Sequence, residues 1–122
     1  MKKTRLTTNS KPTYKRGDVV LANFVFADEA GIKRRPTLVL SVDTYQEGRQ
    51  EVIVAAISSN IRRLLIGDHL ITDWSGAGLL FPSAVTGIIR TVKQAMIYRK
   101  LGTLASKEFQ AVEQNLRRVL GL

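Results

Sequence analysis

The hydrophobic pattern changes character once along this chain. From Val19 to Lys100, apolar and β-branched residues come in short runs broken by Gly, Asp and Ser, as in strands. After Ser106 the apolar positions fall three and four apart, as on one face of a helix. The strand-like runs are Val19 to Phe24, Pro36 to Val42, Glu51 to Ile57, a short one around His69-Leu70-Ile71, Ser83 to Thr91, and Ala95 to Lys100. Glu51 to Ile57 is apolar enough to be buried on both faces. Ala27 to Lys33 reads as a mobile loop, Asp43 to Gln50 as a turn, and Gly76-Ala77-Gly78 as an interruption. Ser106 is placed to cap a closing helix, with Glu108 in its first turn, Phe109, Val112, Leu116, Val119 and Leu120 on one face, and Gly121 as its stop. Many short strands and one terminal helix predict a mainly β fold with a C-terminal helix (α+β), a small curled β-barrel covered by that helix.

Residues 1–15 are polar and basic without apolar periodicity, so they are expected to form a flexible basic arm ahead of a single domain, 16–122. No repeat or linker divides that domain. At 122 residues, with 44% hydrophobic and 24% charged positions, the chain has enough apolar material for one core and no room for a second.

Charge sharpens the picture. Nineteen Lys and Arg against ten Asp and Glu give a net charge of +9, which favours a polyanionic partner, with nucleic acid first. The absence of cysteine removes disulfides and thiolate chemistry. No apolar stretch approaches the ~20 residues of a membrane span, so no membrane association and a cytoplasmic location are expected.

The usual catalytic repertoires lack parts. His69 is the single histidine, and there is no Gly-x-Ser-x-Gly elbow, zinc-hydrolase pair, P-loop or dinucleotide fingerprint. Asp28-Glu29, in a glycine-containing loop, reads as a solvated turn rather than a metal site, so neither metal nor cofactor is expected. What remains is Lys33-Arg34-Arg35-Pro36 running into the second strand, and Ser58-Ser59-Asn60 closing the third. Cations at one strand start and hydroxyls at another strand end suggest a site for phosphate. RNA carries its own nucleophile, the 2′-hydroxyl, so a protein with only arginine and hydroxyls need orient it and stabilise charge. Arg62 and Arg63 read as a basic face that could touch phosphate, Arg90 as a contact for phosphate or for a partner's carboxylate, and Trp74 as core or dimer packing.

Four segments also resemble a known family. Gly17-Asp18-Val19-Val20, Arg35-Pro36-Thr37-Leu38-Val39-Leu40-Ser41, Val54-Ala55-Ala56-Ile57-Ser58-Ser59-Asn60 and Ile89-Arg90-Thr91-Val92 follow the order and spacing of MazF/PemK-type toxins. The resemblance extends over residues 15–122, including Lys100-Leu101-Gly102-Thr103-Leu104. It implies a homodimeric SH3-like barrel that cuts single-stranded RNA at short specific sequences without metal and is neutralised by a cognate antitoxin, here expected to be acidic. By the same resemblance, Arg35 matches the catalytic arginine, Ser58 the catalytic threonine, Asn60 a polar amide position, and Arg16 a basic substrate-contacting position. Lys33, Arg34 and Ser59 are supporting substrate contacts.

Ile88 departs from the family, since many relatives are polar there, and this bears on base recognition. A guanidinium is effectively always protonated, so Arg35 is a charge stabiliser and proton donor rather than a base. Glu29, close to Arg35 in sequence, is the candidate base. Two other readings stay open: a barrel of this lineage that binds RNA or protein without cutting, and a toxin that inhibits gyrase.

Overall fold

The computed structural model describes residues 14–25 and 31–122. Among them, β1 (Asp18–Phe24), β2 (Lys33–Val39), β3 (Glu51–Ser58), β4 (His69–Leu70), β5 (Ala84–Lys93) and β6 (Ile97–Thr103) form one antiparallel sheet in the order β4-β5-β3-β2-β1-β6. Helix α1 (Asp43–Glu47) lies between β2 and β3, and α2 (Ser106–Leu120) closes the chain. The sheet curls without closing. Its registers slip between Val19 and Val20, between Leu21 and Ala22, and between Ala55 and Ile57, and such bulges strengthen local twist.

The period-two alternation has the expected consequence, since each face of the central strands has its own core. Val19, Leu38, Ala55 and Ile57 pack with Phe109 and Val112 of α2. Val20, Ala22, Val39, Val54 and Ala56 pack with Val92 and Ile97 in a second cluster. Burying a Val or Leu side chain contributes about 1.5–3 kcal/mol, so both faces of β3 hold the fold together. Helix α2 ends where Gly121, at φ 73°, turns the chain and donates its amide to Arg117 O, with Arg117 and Arg118 in the last turn.

The structure corrects several expected boundaries, among them the end of the second strand, which stops at Val39 instead of Val42. The predicted turn 43–50 contains α1, whose buried Gln46 donates from Nε2 to Tyr14 O (2.7 Å) and accepts at Oε1 from Ser41 Oγ (2.6 Å). That network joins residues distant in sequence, so apolar periodicity carries no trace of it. The N-cap of α2 is Ala105 rather than Ser106, and no side chain caps it. The fifth strand continues to Lys93, so the last begins only at Ile97, after a short 3₁₀ turn, Gln94–Met96, and runs on to Thr103. β2 starts at Lys33 instead of Pro36, because Lys33, Arg34 and Arg35 pair with Phe24, Asn23 and Ala22 of β1.

Pro36 therefore lies inside a strand, and its role follows from the missing N–H. Pairing of β2 with β3 begins only at Thr37, opposite Ala56. Up to Pro36, β2 has β1 on one side and, among the described residues, no strand on the other, which is the edge position a proline tolerates. The two central strands separate there, and a cleft opens. Residues 1–13 of the expected arm lie outside the described residues, while Tyr14 packs against the second core cluster.

Candidate active site

The cleft where β2 and β3 part has a volume of about 680 Å³. Its floor follows one row across the sheet. Arg99 pairs with Leu21 and Leu21 with Pro36, and these three line it together with Ile57. Thr37, Leu38 and Val39 pair with Ala56, Ala55 and Val54, and the pairing stops short of Arg35 on one strand and Ser58 on the other, where the strands part. Both are half-buried and both line the cleft, as do Arg34, Ser59 and Asn60.

The groups are held in place by their neighbours. Ser58 Oγ accepts the Asn60 amide (3.1 Å), and a hydroxyl that accepts in this way still has its own proton to donate. The Arg34 guanidinium lies 3.7 Å from the centre of the Tyr98 ring. Hydrogen bonding from Arg34, then from Asn23, and the Arg34 charge hold the Tyr98 phenol below the usual tyrosine range, against a smaller opposing effect of burial. The opposite wall, Gly78 to Phe81, approaches β6 closely: a Cβ at Gly78 would lie 2.0 Å from Leu101 O, and one at Gly102 2.3 Å from Ala77 O. Three arginines line the cleft and, among the described residues, no carboxylate does. The arrangement suits a phosphodiester with an adjacent hydroxyl.

Other predicted positions lie elsewhere. Arg16 donates to Leu40 O and Glu113 and sits 4.5 Å from the Phe109 ring, beside a separate recess at the start of α2. Arg90 donates to Ile89 O and lies over Phe24, next to Met96. Lys33 and Arg62 are exposed and do not line the cleft. Glu29 and its neighbour Asp28 lie outside the described residues. Ile88 packs against the second core cluster, and Trp74 against the first.

His69 is not simply a strand residue. Its Nε2 lies 2.9 Å from Glu108, whose carboxylate also accepts the amides of Thr72 and Asp73. Sequence reasoning passed over Arg99, Tyr98, Leu80 and Phe81. Arg99 had a signal in the basic run Tyr98-Arg99-Lys100, but only the register with Leu21 brings it to the cleft.

A curled antiparallel sheet with a terminal helix, and a cleft lined by arginines and hydroxyls where its two central strands part, define a small β protein with one helical cover. Its family is more specific. Residues 15–120 match the model of the PemK-like, MazF-like toxin of type II toxin-antitoxin systems, and the chain belongs to that family. Among solved structures, an endoribonuclease from a mycobacterial species is similar at TM-score 0.72 and 16% identity, covering 91% of this chain and 94% of that one. The Mycobacterium tuberculosis toxin MazF-mt6 is similar at TM-score 0.71 and 23% identity, covering 86% and 97%. A MazE-MazF structure from Deinococcus radiodurans is similar at TM-score 0.72 and 18% identity, covering 91% and 98%. Curated proteins provide no match.

Proposed function

We propose that this chain is a toxin endoribonuclease that cuts single-stranded RNA without a metal, using the ribose 2′-hydroxyl as nucleophile. The observation that carries the reading is that Arg35 and Ser58 line one cleft, together with two further arginines and, among the described residues, with no carboxylate. The 2′-oxygen attacks the neighbouring phosphorus, the bond from phosphorus to the 5′-oxygen breaks, and the products are a 2′,3′-cyclic phosphate and a 5′-hydroxyl. Arg35 stabilises the charge on the phosphorane-like transition state and donates the proton that the departing 5′-oxygen takes up. Ser58 directs its proton to a phosphate oxygen. Arg34, braced on Tyr98, and Arg99 hold flanking phosphates, with Ser59 and Asn60 as polar contacts. Glu29 takes the proton of the 2′-hydroxyl.

The partner that restrains such an activity is an acidic antitoxin, suited to a chain of net charge +9. Support comes from the family and from similar folds, one an endoribonuclease in complex with its cognate antitoxin. The working form is a cytoplasmic homodimer with two clefts, in which Arg16, Lys33, Arg62 and Arg90 extend the basic surface for RNA or antitoxin.

The test is direct. Purified protein in EDTA should cut single-stranded RNA and leave 5′-hydroxyl ends, whose sequences define the recognition motif. Arg35→Ala should lower the rate by roughly 10²-fold or more with an unchanged circular dichroism spectrum, and Arg35→Lys should not restore it, because a point charge cannot make the bidentate contact. Full activity in Arg35→Ala would overturn the site. Intact RNA with wild-type protein, above all together with inhibition of gyrase, would overturn the function.

A further inference from the structure

The rim of the cleft carries two large apolar side chains held out in solvent. Leu80 is 82% exposed and Phe81 64% exposed, although Leu79 just before them is buried in the core and Ser83 just after is 4% exposed. Apolar side chains exposed side by side and rimmed by polar residues mark binding grooves.

The segment is braced. Leu79 donates its amide to Trp74 O (3.0 Å), and Ile71 donates its amide to Ser83 O (3.0 Å). Ser83 Oγ donates to Phe81 O (2.8 Å), and Pro82 between them has a fixed φ. Gly78, at φ +86°, lets the backbone lie against Leu101 O where any side chain would collide. The chain thus presents the Phe81 ring from a fixed turn, which is how a binding surface is preorganised.

The surroundings select the ligand. The cleft that Phe81 borders contains Arg34, Arg35 and Arg99, with Ser58 among them. A flat apolar face beside cations and a hydroxyl donor matches the alternation of base and phosphate in a single strand, in which unpaired bases stack on aromatic rings. We propose that Phe81 is a base-stacking platform of the cleft, holding one nucleobase next to the phosphate that Arg35 and Ser58 engage. The inference rests on the endoribonuclease reading and deepens it by naming a residue that grips the base.

The experiment compares wild type with Phe81→Ala, Phe81→Leu and Phe81→Trp in two assays. Binding of a fluorescent mixed-sequence single-stranded RNA pool, carrying 2-aminopurine and 2′-O-methyl sugars to prevent cutting, is followed by anisotropy and by 2-aminopurine emission. Cleavage of unmodified RNA is followed separately. Loss of a stack should weaken RNA binding roughly tenfold in Phe81→Ala and raise KM correspondingly, with the saturated rate within about threefold of wild type. Quenching of 2-aminopurine should diminish in Phe81→Ala and Phe81→Leu and persist in Phe81→Trp, which separates stacking from mere apolar bulk. Equal binding and quenching in all four proteins would overturn the proposal. So would a changed sedimentation coefficient of RNA-free Phe81→Ala, which would assign the rim to a protein–protein contact. Wild type that cuts RNA without these differences overturns the stacking role alone, whereas wild type that cuts no RNA overturns the underlying reading.

Discussion

Glu108 ties one wall of the cleft to the helix, and its removal has a cost that can be worked out. Although it sits in the first turn of α2, its carboxylate accepts the amides of Thr72 (2.6 Å) and Asp73 (3.1 Å) and meets His69 Nε2 at 2.9 Å. These contacts fix the turn that carries Trp74 and leads into Leu79 and Phe81. Burial pushes the Glu108 pKa up, but the Thr72 amide, the His69 ring and the Asp73 amide together outweigh it and hold the carboxyl below its ordinary value. Glu108→Ala removes two amide hydrogen bonds to a charged acceptor, each contributing about 1.5–3 kcal/mol, together with the His69 contact. Thr72 and Asp73 are exposed, so water recovers part of that, and a net loss of about 3 kcal/mol is expected. With a urea dependence of about 1.5 kcal/mol per M, the unfolding midpoint falls by about 2 M. Trp74, the single tryptophan, reports the transition by fluorescence.

The pH dependence has a definite sign. A carboxyl whose pKa is lower folded than unfolded, where it is about 4.3, stabilises fully above the unfolded value. That contribution is lost as pH falls through the lower folded value. Glu108→Gln should therefore be less stable than wild type at neutral pH and approach it in acid. A Glu108→Ala midpoint equal to that of wild type, or a Glu108→Gln deficit that stays constant from neutral pH into acid, would refute the reasoning.

Two further outcomes follow from the same wall and its opposite. Gly78→Ala combines φ +86° with a Cβ 2.0 Å from Leu101 O, so thermal unfolding should show a loss of at least about 2 kcal/mol. Gly48→Ala, with nothing within 4 Å and a negative φ, should stay within about 0.5 kcal/mol of wild type and serves as the control. The Tyr98 phenol should titrate by NMR below the usual tyrosine range and return toward it in Arg34→Ala, because the Arg34 hydrogen bond is the leading cause of its shift. An unmoved Tyr98 titration would show that Arg34 does not rest on the ring in solution.

Much of the fold was legible because period-two and period-3.6 patterns are local. Glu51 to Ile57 read as buried on both faces, and its odd and even residues do enter separate cores. The glycine stop at Gly121 was equally plain. For the candidate site, the resemblance grouped Arg35 with Ser58, and both line the one cleft. Arg16, grouped with them by the same resemblance, is engaged with Glu113 and Phe109 instead.

By itself the sequence determined its strand-rich character and closing helix, the two-faced character of β3, the excess of positive charge and the family. Tertiary structure alone decided which side chains share a cleft. Strand register is a long-range property: a slip of one residue would leave every local pattern intact yet turn Arg35 to the other face of the sheet. The same holds for Gly78 against Leu101, far apart in sequence, whose close approach seats Leu80 and Phe81 on the rim. Pro36 shows both at once. Its missing N–H is written in the sequence, but only the pairing of β2 with β1, and with β3 from Thr37 onward, turns that missing donor into an open cleft.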